Sequence, residues 1–414
     1  MRKDDYFMTK DQFEKPLDPE FPLHDDSLTV QGAPARHNEY GAIMAPIFLS
    51  TTYRLEDINQ AGPYEYIRTQ NPTRQKAEDA VARLDHADHA LGFASGMAAI
   101  ATVFEHFHPG DHILSSANIY GGTYRFFLDI LGPRKVDYDF ITDLSTLSDA
   151  DFKPNTKAVF LETPANPTLR VYDIAKIAEL AHRHGALLIV DNTFMTGYLQ
   201  KPLALGADVT VYSATKFYGG HADLNAGFIT LNDTDLYNEF FFYQNTLGAT
   251  LSPFDSYTLL RGIRTLAIRL DRQQENVKAV IGALEKHPAV SQVLYPGWYS
   301  PDEAAIQKKQ AKGLGAVISF AVKPGVDLGV FFEKLQMIDL AVSLGGVESL
   351  VCRPTTMTHA PYPKDKLKEI GVRDNLVRFA VGIENKDDII YDLSQALTIA
   401  QESDEVLDKK VDIQ

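Results

Sequence analysis

The sequence predicts an α/β fold: a mostly parallel central sheet, preceded by an extended N-terminal arm and followed by a smaller α+β C-terminal domain. Three observations lead there. Between about residues 60 and 260, short runs apolar on both faces alternate with amphipathic helical patterns, as in a parallel sheet buried on both sides. The chain has 414 residues, more than one hydrophobic core usually holds, so two domains are expected. Residues 256–287 carry a long helical pattern ended by Pro288, which reads as the connector between them. The boundaries drawn from this are an arm at 1–62, a large domain at 63–265 and a small domain at 266–414.

Taken in order, residues 1 to about 60 are polar, proline-dotted and weakly periodic, which reads as an arm. "HALGFA" (89–94) is a short apolar run. In the following "SGMAAIATVFEHF", Met97, Ile100, Ala101 and Phe104 recur at helical spacing. "AVFLET" (158–163) is a further strand. Asp173 reads as an N-cap for a helix carrying Ile174, Ile177, Ala178 and Ala181 and stopping at Gly185. "ALLIVDNT" (186–193) and "DVTVYSAT" (208–215) are two more strands that end in polar residues. Beyond the connector, "GAVISFAV" (315–322), "LAVSLGG" (340–346) and "LVRFAVGI" (376–383) read as strands and "DDIIYDLSQALTIAQE" (387–402) as an amphipathic helix.

Composition narrows the function classes. A formal net charge of −15 opposes binding to nucleic acid or to an anionic membrane. No run approaches the ~18 apolar residues of a membrane span, and the first twenty residues lack the apolar core of a signal peptide. A single cysteine, Cys352, excludes an intrachain disulfide and thiolate metal sites of the CxxC kind. A soluble protein of the cytoplasm is expected. His86 and His89, three apart on an expected helix, and His106 and His108 nearby have no HExxH or cysteine partner, so no metal site is expected.

Polar groups gather at strand ends, where open parallel sheets bind ligands. Ser95, Gly96 and Met97 stand where a strand enters a helix, a turn that either caps the helix or cups a phosphate. Asp191 ends "LLIVD", as a turn residue or as an acid able to hold a proton on a ring nitrogen. Glu162 and Asn166 close "LETPANPT", where Asn-Pro is ordinary turn chemistry. Lys216 follows "VYSAT", between Ser213 and Thr215 on one side and Gly219 and Gly220 on the other. Singly each is ambiguous. Together, a phosphate cup, an acid for a ring nitrogen and an imine-forming lysine are what pyridoxal phosphate requires.

"SATKFYGGHAD", "YIRTQNPT", "FASGMAA", "IYGGTYR", "ETPANPT", "VDNTF", "SLGGVESL" and "TMTHA" occur along the chain. From about residue 40 to 400 the sequence resembles the pyridoxal-phosphate enzymes of cysteine and methionine metabolism, the trans-sulfuration family. The resemblance implies the fold-type-I, PLP-dependent transferase-like architecture and a homotetramer of two dimers with shared active sites. It implies that Lys216 is the imine lysine, that Asp191 faces the pyridine nitrogen, and that Gly96, Met97, Ser213 and Thr215 hold the phosphate. Tyr66 and Arg68 match residues that reach a neighbouring subunit's phosphate, and Tyr120 matches the aromatic stacked on the cofactor ring. Asn166 matches a residue near the cofactor's phenolic oxygen and the substrate. Arg378 matches the arginine on the substrate carboxylate, and Ser343 a serine that helps hold the lysine and substrate.

The activity this implies is carbon–sulfur lysis of cystathionine and related sulfur amino acids, by α,β- or α,γ-elimination, to a 2-oxo acid, ammonia and a thiol. Lys216 and Tyr120 are the expected proton carriers. Val342 stands where many cystathionine-handling members carry glutamate, which favours uncharged side chains. Gly122 stands where methionine γ-lyases usually carry cysteine. The alternatives are γ-replacement (cystathionine γ-synthase or O-acylhomoserine sulfhydrylase), methionine γ-lysis, transamination and a non-catalytic cofactor-binding protein.

Overall fold

The computed structural model describes residues 23–32, 42–56 and 62–411. The rest of the predicted arm lies outside them. Within it, Asp25–Gln31 forms one short helix, with Asp25 and Asp26 in its first turn facing the positive end of the dipole. Among the described residues the strands are, in chain order, β1 (His89–Phe93), β2 (His112–Ser116), β3 (Asp137–Ile141), β4 (Thr156–Glu162), β5 (Leu187–Asp191), β6 (Val209–Ser213), β7 (Gly227–Leu231), β8 (Val290–Leu294), β9 (Val317–Val322), β10 (Asp339–Leu340), β11 (Leu350–Cys352) and β12 (Leu376–Ala380).

The chain forms two compact units, each discontinuous in sequence: residues 1–106 with 211–267, and 107–210 with 268–414. In the first, β1 and β7 pair antiparallel, with Phe93 opposite Gly227. Helix Pro72–Asp85 begins at Asn71, whose side chain accepts from the Thr73 and Arg74 amides, and has proline at its first position, where no N–H is needed. It ends at His86, in the left-handed region at φ 54°. His86 is therefore a helix cap and His89 opens β1, so the expectation that both share a helix is corrected. Helix Gly96–Phe104 follows β1 directly, capped by Ser95.

The predicted single helix over 256–287 is two, Pro253–Ile263 and Leu266–Leu284. The Gly262 carbonyl receives both the amide and the hydroxyl of Thr265, a tighter turn that takes the acceptor the helix would have used for residue 266.

In the second unit β3, β2, β4 and β5 lie side by side and all parallel. Helix Ile174–Arg183 is capped by Asp173 as predicted and packs Ile174, Ile177 and Ala181 against Val159, Leu161, Leu188 and Val190. A second sheet runs β10-β11-β12-β9-β8, antiparallel except for β10 with β11. Ile389, Leu393 and Leu397 of helix Lys386–Val411 cover it, packing with Phe320, Val377 and Phe379. The architecture is thus α/β with a mostly parallel sheet and a second sheet. The strand predicted over 340–346 is corrected: only Asp339–Leu340 pairs, and left-handed residues at Ser343 (φ 86°) and Gly345 (φ 82°) bend the rest out of the ladder.

Candidate active site

In the first unit, β6 is a buried run that emerges at half-buried Ser213 into a tight turn. The Lys216 amide donates to the Ser213 carbonyl (3.1 Å) and the Lys216 carbonyl accepts from Gly220 (2.8 Å). Gly220 takes φ 74°, which explains why the loop breaks at glycine. Thr215 ties the turn to the chain entering β7. Its hydroxyl donates to Asn225 Oδ1 (2.9 Å) and accepts from the Ala226 amide (3.0 Å).

An α-helix leaves its first amides without internal acceptors. In helix Gly96–Phe104, Ser95 Oγ takes the Ala98 amide, so the earlier ones belong to Gly96 and Met97. A Cβ on Gly96 would stand 2.8 Å from Ser213 Cβ, closer than such atoms approach. Only glycine lets the helix start come this close to the end of β6. Gly96, Met97, Ser213, Thr215 and Lys216 are thereby gathered into one region of one unit: amide donors, two hydroxyls and an amine. This is a donor set suited to a phosphate and an aldehyde.

Tyr66 and Arg68 stand on the surface of the same unit, Tyr66 with 45% of its area exposed. Arg68 Nη1 donates to the carbonyl and side-chain oxygens of Asn245, and its guanidinium lies over the Tyr66 ring, 5.6 Å from the centroid.

The second unit holds the other candidates. Asp191 ends β5 opposite Glu162, which ends β4 in parallel register. Burial raises both carboxyls above the usual range, and Glu162 is raised further by the Asp191 charge beside it. The Thr193 amide and hydroxyl donate to Asp191 Oδ1 (3.0 and 2.6 Å) and oppose its shift. Glu162 Oε1 accepts the Tyr120 amide at 2.5 Å, and the Asn166 amide also favours its charged form. Glu162 thus braces the backbone of two predicted site residues. The sequence marked it only as a polar strand end.

Arg378, on β12, is buried. Nη2 donates to the Ser343 carbonyl (2.6 Å) and Nη1 to Asn166 Oδ1 (3.3 Å), while Nε is buried with no partner. Tyr120 lies near enough to act on its charge. Arg378 therefore gathers Tyr120, Asn166 and Ser343. The strained φ of Ser343 belongs to the residue that offers Arg378 its carbonyl. Val342, next to it, is 58% exposed.

Two further residues escaped the sequence reading. Burial and the Arg378 charge hold His359 down to about 3, so it packs as a neutral ring. Tyr362 donates to the carbonyls of Ala117 and Ile119 (3.1 Å each), just before Tyr120. "TMTHA" drew notice as a block, but neither residue has a local pattern that marks it. Among the described residues no group of three or more His, Cys, Asp or Glu side chains is placed to hold a metal ion, and no helix is long and apolar enough to cross a membrane.

The donor set of the first unit fits a phosphate-bearing aldehyde; the second unit contains a buried, raised acid at Asp191 and a buried guanidinium, Arg378, with an unpartnered Nε. Such a fold with such groups defines a pyridoxal-phosphate-dependent α/β enzyme. The Cys/Met metabolism PLP-dependent enzyme family matches residues 26–398, and the chain belongs to that family. It is 43% identical over 370 residues to the cystathionine beta-lyase of Lactococcus lactis subsp. cremoris strain MG1363, covering 89% of this chain and 97% of that one. It is 43% identical over 364 residues to a Bacillus subtilis cystathionine gamma-synthase/O-acetylhomoserine (thiol)-lyase, covering 87% and 93%. The solved structure of cystathionine gamma-lyase from Lactobacillus plantarum, complexed with L-serine, superposes with a TM-score of 0.88 at 40% identity, covering 92% of this chain and all of that one.

Proposed function

We propose that this enzyme is a carbon–sulfur lyase acting on cystathionine and related sulfur amino acids, yielding a 2-oxo acid, ammonia and a thiol. The observation that carries the reading is Arg378. A buried guanidinium with an unsatisfied Nε, beside Tyr120 and Asn166, asks for an amino-acid carboxylate.

In this reading the Gly96 and Met97 amides with Ser213 and Thr215 hold the phosphate, and Lys216 holds the aldehyde carbon. Tyr120 would hold the ring, Asn166 would serve its phenolic oxygen, and Asp191 would keep a proton on its nitrogen. Asp191 would fill that role as an anion, helped by the Thr193 amide and hydroxyl that favour its charged form, while burial raises the neighbouring Glu162 carboxyl. The bound cofactor supplies an electron sink for charge developed at the substrate α carbon. Arg378 fixes the carboxylate, with Ser343 bracing it. Lys216, once its amine is free, takes the α proton. Tyr120 delivers a proton to the departing sulfur as the C–S bond at the β carbon breaks; for sulfur on the γ carbon, Lys216 first removes a β proton as well. Water then releases the nitrogen as ammonia.

Gly122 bears on the choice of substrate. A Cβ there would overlap the Tyr120 ring, so a side chain at this position requires the ring to move. That disfavours the arrangement usual in methionine γ-lyases. With apolar Val342 beside Ser343, a distal ammonium gains no partner there. γ-Replacement is the second reading, supported by the likeness to a synthase. Further parts of the proposal are a cytoplasmic homotetramer, with Tyr66 and Arg68 serving the neighbour's phosphate, and the division at 1–62, 63–265 and 266–414.

A product assay on cystathionine tests it. Pyruvate reports β-elimination and 2-oxobutyrate γ-elimination. Formation of neither, with coupling of O-acylhomoserine to cysteine, would replace the lyase reading by γ-replacement. In the same assay Val342→Glu is expected to raise kcat/KM for cystathionine relative to methionine.

A further inference from the structure

Among the described residues Arg74 is one of the largest side chains buried to within 2% of full burial, yet it is a cation. Its guanidinium fans over three consecutive carbonyls. Nη1 donates to Ile67 (3.2 Å) and Arg68 (3.4 Å), and Nη2 donates to Arg68 (3.4 Å) and Thr69 (2.6 Å). Nε lies 3.4 Å from Glu78 Oε1, the same oxygen that accepts the Gly92 amide of β1 at 2.9 Å. One side chain thus knots the 67–69 backbone to its own helix and, through Glu78, to the strand that leads into the Gly96 turn.

Burying a cation is costly, and a well-packed apolar residue usually stabilises as much. What an apolar residue cannot do is curl three carbonyls around one point. That curl sets the direction in which Tyr66 and Arg68 leave the surface. From outside, Asn245 at the end of helix Thr234–Leu247 takes the Arg68 side chain. The Tyr66 carbonyl closes the same turn by accepting the Thr69 and Gln70 amides, at 3.0 Å each.

We propose that Arg74 is a positioning residue: it fixes the Ile67–Thr69 backbone so that Tyr66 and Arg68 are presented in the register that grips the cofactor phosphate. This rests on the phosphate role given to Tyr66 and Arg68 above. Lysine at 74 keeps the charge but has no planar fork to span three carbonyls.

The test is a double-mutant cycle of R74K and R68A, read as the Kd of the apoprotein for pyridoxal phosphate by absorbance titration. Far-UV circular dichroism and apoprotein Tm establish that each variant is folded. Each single variant is expected to weaken binding about tenfold, the loss of a charge-assisted contact. R68A/R74K is expected to be no weaker than R68A by more than about twofold, because Arg74 acts through Arg68. A purely structural Arg74 gives losses that multiply, and that result, or a wild-type Kd in R74K, overturns the proposal. An unchanged Kd in R68A instead overturns the phosphate role of Arg68 itself. Should R74K fail to fold, E78Q, which keeps an acceptor for Gly92 but no charge for Nε, enters the same cycle with the same criteria.

Discussion

Glu78 is a carboxyl with 17% of its side chain exposed, and the cation beside it, Arg74, is committed mainly to carbonyls. Burial pushes its pKa up to about 7, with the Arg74 charge and the Gly92 amide opposing and Asp79 adding to the rise. A raised acid pKa means that the folded state binds the proton more tightly than the unfolded chain. Stability from this group is therefore present at low pH and is lost as pH climbs from the unfolded value of 4.5 through about 7. Tm of E78Q relative to wild type is expected to rise across that window, the corresponding difference in stability being on the order of 3 kcal/mol. Differential scanning at pH 5 and pH 8 checks it; a constant gap refutes the shift. Residues of this sort were not legible beforehand. In "NPTRQKAED", Arg74 and Glu78 read as the polar side of a helix, and only the tertiary packing turns that side inward. The places of Asp191, at the end of β5, and of Lys216, in the turn after β6, were legible because apolar runs lead into both. Glu162 ends a run too, yet its task of holding the Tyr120 amide depends on a loop 42 residues earlier in the chain.

Helix Pro253–Ile263 comes closer to the lysine turn than side chains allow. A Cβ on Gly262 would overlap the Gly219 carbonyl and lie 2.9 Å from that of Tyr218, two to three residues past Lys216. Gly262→Ala is expected to cost about 1–3 kcal/mol by overpacking and to shift the absorbance of the bound cofactor, because the turn must give way. Denaturant unfolding and the visible spectrum check both halves. An unshifted spectrum with wild-type stability would mean that the helix yields instead. The periodicity of 256–287 gave no hint of this contact or of the break at Thr265, since both depend on what one carbonyl accepts. Helix Ile174–Arg183 was legible from cap to stop because its signals are local: Asp173 at one end, Gly185 at the other and an apolar stripe between. "LAVSLGG" misled for the opposite reason. Its apolar alternation is that of a strand, whereas Ser343 and Gly345 sit in a conformation no strand uses.

The two units each draw on two separated stretches of chain, so no composition shift along the sequence could mark them. The mostly parallel sheet and the second sheet were legible from apolar runs alternating with helical patterns, and the cofactor class from motif blocks in fixed order. If Tyr66 and Arg68 serve a neighbour, two crippled variants should repair each other. Refolding Lys216→Ala with Arg68→Ala at equal amounts is expected to restore about one quarter of all sites, since half the randomly paired dimers are mixed and each mixed dimer has one intact site of two. Turnover at limiting cofactor measures it, and activity no better than the two variants kept apart counts against shared sites. Cys352 has a practical meaning of its own. It lies within β11 opposite Arg378, fully buried, with burial pushing its thiol up. The native thiol is thus shielded from maleimide reagents under folded conditions, and a cysteine introduced at an exposed place such as Tyr391 becomes the one handle for attaching a fluorophore.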